Sequence, residues 1–159
     1  MAERPGKYFS WSEMTTTATG LDNTPGPTER LNIRLFVETV LDPLREARGA
    51  PIRVTSGYRS HAVNDAVGGS VRSLHTRGLA ADIKSPDLDA HGLLHLLLLA
   101  DVPFDQVIAY APERGGHVHI QWKPDNRNRH QKLWAPATGG YEDYEGHFGP
   151  ITLGYADFD

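Results

Sequence analysis

Apolar residues fall into short blocks separated by Gly, Pro and polar turns. From Glu29 onward, Leu31, Leu35, Val37, Val40, Leu41 and Leu44 recur at spacings of two, three and four, which predicts a helix with one buried face. Thr28 is its expected N-cap, Pro43 is expected to kink or divide it, and Gly49 to end it. Ile52 to Thr55 reads as a strand emptying into the turn-forming SGYRS. Ser60 is placed to cap a short helix through Val67, closed by Gly68 and Gly69. LAADIK (79–84) reads as a second strand, and Asp87 or Asp89 as the cap of a helix running to about Ala100. QVIAY (106–110) and HVHIQW (117–122) read as two further strands, joined as a hairpin by APERGG. Helices followed by mostly antiparallel strands predict an α+β fold: a single small domain whose short antiparallel sheet is packed by helices.

The two ends read differently. Residues 1–27 are loop-like, with a short amphipathic stretch around Phe9, Trp11 and Met14, and are expected to wrap the core. Residues 123–159 read as an irregular C-terminal tail whose aromatics, Trp134, Tyr141, Tyr144, Phe148, Tyr155 and Phe158, pack on that core. An aromatic rim for a sugar or peptide chain is the sharper alternative.

Composition narrows the function. The 159 residues are 39% apolar and 23% charged, enough for one core and unlike a disordered chain. A net charge of −4 gives no case for nucleic acid or an anionic membrane as the main partner. Cysteine is absent, so disulfides, thiolate metal sites and a cysteine nucleophile are excluded. Any metal must be held by Asp, Glu or the eight histidines. No apolar run approaches the roughly 18 residues that span a bilayer. The N-terminus has no apolar signal core. The expectation is a monomer without a transmembrane segment, synthesised in the cytoplasm without a signal peptide. It would act outside the membrane only if released.

Three features then combine. Alternation along HVHI puts His117 and His119 on one face of a strand, with Val118 and Ile120 facing the core. Asp82 stands between Ala81 and Ile83, where a carboxylate needs a strong partner: a divalent metal, a buried Arg or a set of backbone amides. His75 precedes it across a Gly-containing turn. His75, Asp82 and one histidine of the pair make three N/O ligands, the number that leaves a catalytic zinc an open position. His91 and His95 share a helix face, but Gly92 follows His91 where the helical zinc motif needs Glu, and they read as surface or capping residues.

SGYRS, then Asn64, VGGS and S-x-H-x-x-G-x-A-x-D (Ser73, His75, Gly78, Ala80, Asp82), resemble the zinc D-Ala-D-Ala carboxypeptidases and the related phage L-alanyl-D-glutamate endolysins. These share a His, an Asp and a final HxH with lysostaphin-type endopeptidases and hedgehog domains. The resemblance runs from about Phe9 to Trp122. It implies one zinc ion bound by His75, Asp82 and His119 on the face of a small antiparallel sheet. It makes His117 a catalytic acid/base or transition-state stabiliser, Arg59 a steadier of substrate or developing charge, and Ser73 a neighbour of the peptide carboxylate. The implied substrates are peptidoglycan stem peptides. The implied activity is D,D-carboxypeptidase or endopeptidase, in a phage or prophage lysis enzyme released, for example, through a holin. One position departs. Many members carry an Asp or Glu as general base three residues before the last zinc histidine, and here it is Gly116. His117, or Glu113 if its loop folds over the zinc, is left to do that work. The alternative is a non-catalytic or weakly active zinc-binding cell-wall recognition module or phage structural component.

Overall fold

A computed structural model describes residues 3–144. Helix α1 (Trp11–Thr15) opens with a capping box in which the Ser10 hydroxyl accepts from Glu13 N and the Glu13 carboxylate from Ser10 N. Helix α2 (Pro27–Phe36) has Gly26 rather than Thr28 as N-cap; Pro27 takes the first helical position, where its fixed φ fits and its missing N–H costs nothing. The ladder widens to a π-helical stretch at Val37–Leu41 before α3 (Asp42–Arg48). Pro43 is the cause: its ring crowds the carbonyl four residues back and offers no N–H, so the helix loosens there and continues. Gly49 ends it in the left-handed region.

Strands β1 (Arg53–Ser56), β2 (Ala80–Lys84), β3 (Gln106–Tyr110), β4 (Val118–Gln121), β5 (Gln131–Ala135) and β6 (Glu142–Asp143) form one sheet in the order β1-β2-β4-β3-β5-β6. All neighbours are antiparallel except β3 and β5, which run parallel. Helix α4 (His61–Ala66) is capped by Ser60, and α5 (Ala90–Ala100) by Asp89. No helix among the described residues is long and apolar enough to cross a membrane.

Contrary to the irregular tail expected from the sequence, residues 123–144 contain the strands β5 and β6. The signal in QKLWA is weak because β5 pairs with a strand more than twenty residues earlier and is half exposed, so no local hairpin pattern marks it. Tyr144 is fully buried, while Tyr141 is exposed. Phe148, Tyr155 and Phe158 lie outside the described residues.

The sheet has two unlike faces. Ala81, Ile83, Val107, Ala109, Val118 and Ile120 are fully buried in the same core cluster as Leu93, Leu94 and Leu97 of α5 and Ile33 and Phe36 of α2. Each large side chain removed from water there contributes about 1.5–3 kcal/mol. Phe9 and Met14 are buried in the same core. Asp42, also buried, accepts from the backbone N–H groups of Lys7 and Tyr8 at 2.7 and 3.1 Å. Alternation leaves Asp82, Lys84, His117, His119 and Gln121 on the opposite face.

Candidate metal centre

Register brings the first pair together: Asp82 on β2 lies directly across from His119 on β4. His75 arrives from a 3-10 turn (Leu74–Arg77) capped by the Ser73 hydroxyl, which accepts from His75 N. One ligand atom from each of His75, Asp82 and His119 lies within 4.8 Å of the others. Asp82 Oδ1 is 3.1 Å from His119 Nδ1, 3.5 Å from His75 Nε2 and 3.9 Å from His117 Nε2.

Hydrogen bonds on the far side of each ring decide what these nitrogens offer. His75 Nδ1 sits 2.7 Å from the Gly57 carbonyl, which can only accept, so Nδ1 carries the proton of a neutral imidazole. His119 Nε2 sits 2.8 Å from Gln121 Oε1. The Gln121 amide is oriented because its Nε2 donates to Asp105 Oδ2 at 2.8 Å. That leaves its oxygen toward His119, whose Nε2 must donate. In the neutral tautomers both ring nitrogens aimed at Asp82 therefore present lone pairs. Burial pushes the His75 pKa down, so the neutral form prevails near pH 7. Burial pushes the Asp82 carboxyl up; positive charge at the His119 and His75 nitrogens, from a shared proton or from a cation in its place, holds it well below the usual carboxylate range. Two imidazole lone pairs and a carboxylate converging on one point repel one another unless a cation lies between them. The residues present thus fit a bound metal ion, with the ring orientations fixed from behind as metal-binding histidines require.

Arg59 flanks the cluster. Its NH2 lies 3.4 Å from Asp82 Oδ2, its Nε donates to Ser56 Oγ at 3.0 Å, and its NH1 lies 3.4 Å from Asn64 Oδ1. Its backbone N–H donates to the His75 carbonyl, tying the SGYRS turn to the metal-site turn. His117 stacks on Tyr110 with ring centroids 4.4 Å apart, and burial lowers its pKa. Ser73 lines a cleft shared with Arg59, His119 and Gln121.

The structure thus gathers His75, Asp82, His119, His117, Arg59 and Ser73. It does not gather Glu113, which is exposed on the 3-10 turn Pro112–Arg114. Gly116 has φ +64°, so any other residue there adopts the left-handed region at a cost of about 1 kcal/mol. Asp105 is fully buried, and its carboxylate accepts from Arg129 N, Nε and NH2 as well as from Gln121. His91 and His95 lie elsewhere on α5. The His91 Nδ1 is 2.5 Å from the Tyr144 hydroxyl, while His95 Nε2 is buried with no hydrogen-bond partner among the described residues.

Gln121 and Gly57 escaped the sequence reading. Gln121 was accessible to it, because HVHIQ alternates and puts Gln121 in line with both histidines. The carbonyl of Gly57 leaves no sequence signal.

One carboxylate and two imidazoles, from two strands and the turn beside them, form a group that could hold a metal ion. Residues 7–121 match the Peptidase M15 family, and the chain belongs to it. This is the family of zinc D-Ala-D-Ala carboxypeptidases that the motif resembles. None of the curated proteins matches the chain.

Proposed function

We propose that the protein is a zinc-dependent peptidase hydrolysing peptide bonds of peptidoglycan stem peptides, as a D,D-carboxypeptidase or endopeptidase, and that it serves in phage or prophage lysis. The observation that carries this reading is the convergence of His75 Nε2, Asp82 Oδ1 and His119 Nδ1, with His117 Nε2 only 3.9 Å from the same carboxylate oxygen. Two imidazoles and one carboxylate suit one zinc ion with a position left open. When bound, zinc polarises a carbonyl and makes water a nucleophile near neutral pH.

The chain's own residues supply the rest. His117 starts neutral, since burial holds its pKa below the ordinary value. Its Nε2 takes a proton from the attacking water as the new C–O bond forms. It returns that proton to the amine as the C–N bond breaks. Arg59 is fixed by Ser56, Asn64 and Asp82 and offers a permanent positive charge to the developing oxyanion or a substrate carboxylate. Ser73 holds the turn that carries His75 and meets the substrate in the same cleft. The enzyme acts as a monomer and reaches the wall when released, for example through a holin.

A second reading has one observation in its favour: with Gly116 where many members carry an acid and Glu113 exposed, Asp82 is the one carboxylate in the cluster among the described residues. On that reading the chain is a zinc-binding wall-recognition module or phage structural component. Digestion of purified muropeptides, with and without chelator and read by mass spectrometry, separates the two. The enzyme reading expects chelator-sensitive products, and their loss in His117→Ala with zinc retained. Stoichiometric zinc with no product overturns it.

A further inference from the structure

We propose that the cavity beside His117 is a carboxylate-binding subsite, with Lys84 as the cation that receives a substrate carboxylate adjoining the scissile bond. This rests on the zinc peptidase reading and specifies what its cleft selects. Lys84 follows Asp82 by two residues on β2, so its side chain leaves the sheet on the metal-site face. It lines a cavity of about 300 Å³ with Asp89, His91, Tyr110, Gly116 and Trp134. Tyr110 is the residue stacked on His117, so this cavity opens next to the proposed proton carrier.

The charges around it are unevenly engaged. Asp89 Oδ1 accepts from Gly92 N at 2.7 Å, capping α5. His91 Nδ1 meets the Tyr144 hydroxyl. Arg59, on the other side of the cluster, is engaged in part, by Ser56, Asn64 and Asp82. Lys84 is half-buried as a residue, and its ammonium has no hydrogen bond or ion pair among the described residues. An ammonium in a cleft with no protein partner is available to an anionic ligand. A ligand carboxylate satisfies it, and the Tyr110 and Trp134 rings offer apolar walls for the carbon chain that carries the acid. A second cavity, of about 270 Å³, lies on the Arg59, Ser73 and Gln121 side and also touches Tyr110 and His119. The cleft therefore extends to both sides of the metal cluster, and Lys84 marks the side that reads a free acid.

The test uses two stem peptides that differ only in whether the carboxylate adjoining the scissile bond is free or amidated. Zinc-loaded wild type, Lys84→Met and Lys84→Arg are compared for kcat/KM and, by calorimetry, for binding. Wild type is expected to favour the free acid by about tenfold or more, as a charge-assisted contact predicts. Lys84→Met is expected to bring that ratio close to one, with zinc content and handling of the amidated peptide unchanged, and Lys84→Arg to preserve it. Equal handling of both peptides by wild type, or an undiminished preference in Lys84→Met, overturns the subsite. If wild type cleaves neither peptide, the peptidase reading fails, and the binding ratio still decides the role of Lys84.

Discussion

His119 Nε2 lies 2.8 Å from Gln121 Oε1, and this contact dictates that His119 meets Asp82 through the lone pair of Nδ1. The orientation is inherited from Asp105, which holds the other end of the Gln121 amide. Gln121→Leu is expected to weaken zinc binding by about 10–100-fold, the usual effect of removing a partner behind a metal-binding histidine. Gln121→Glu keeps an acceptor toward His119 but sets a second carboxylate against the buried Asp105, and is expected to lose affinity as well. Competition titration against a chromophoric chelator reads both, and unchanged affinity in Gln121→Leu sinks the relay.

His75→Ala is expected to abolish zinc binding and any peptide hydrolysis together, since it removes one of three converging donors. Metal analysis of the purified variant, alongside muropeptide digestion, checks this. Wild-type rates from a metal-free His75→Ala protein would discard the site assignment.

Asp105 ties acid stability to the same network. Burial alone pushes its carboxyl up, but hydrogen bonds from Arg129 and Gln121 hold it well below the usual carboxylate range. Because the folded pKa is the lower one, its contribution is present above the unfolded value of about 3.9 and is lost as pH falls through the folded pKa. Asp105→Asn is expected to cost about 2 kcal/mol at neutral pH and to flatten the loss of stability below about pH 4. Urea unfolding across that range measures it; parallel curves for wild type and variant would refute the assignment.

A close approach behind the site yields a fourth expectation. A Cβ on Gly57 would lie 2.5 Å from the Met14 carbonyl oxygen, which itself accepts from Tyr58 N. Gly57→Ala must push α1 away or move the Gly57 carbonyl off His75 Nδ1. The expected result is a destabilisation of about 1–3 kcal/mol together with weaker zinc binding. Thermal unfolding and a zinc titration on the same variant check both effects.

Part of the candidate metal site was legible from local anomalies, while His75 and the choice of His119 over His117 came from the family resemblance. Asp82 interrupts an apolar strand, and HVHI puts two imidazoles on one side of another. The hairpin of β3 and β4 and the cap at Ser60 followed from alternation and turn chemistry, and of the two candidates Asp87 and Asp89 the structure takes Asp89. What escaped depends on distant partners. QKLWA becomes a strand only because β3 offers it a parallel edge. Asp105 is claimed by Arg129, in the loop before β5, a partner that no local pattern announces. Thr28 lost the cap position to Gly26 because Pro27 is already prepared for the first helical turn.

The three candidate metal-binding residues come from a turn and two strands, and the last stands 44 positions after the first. Only the native chain can bring them together, so an unfolded polypeptide competes poorly for the ion. Loading with zinc should consequently act as a clamp on the whole molecule, adding about 4 kcal/mol at a free concentration a thousandfold above Kd. A chelator would then lower the melting temperature as well as silence the chemistry, and calorimetric scans would register both ends of that exchange.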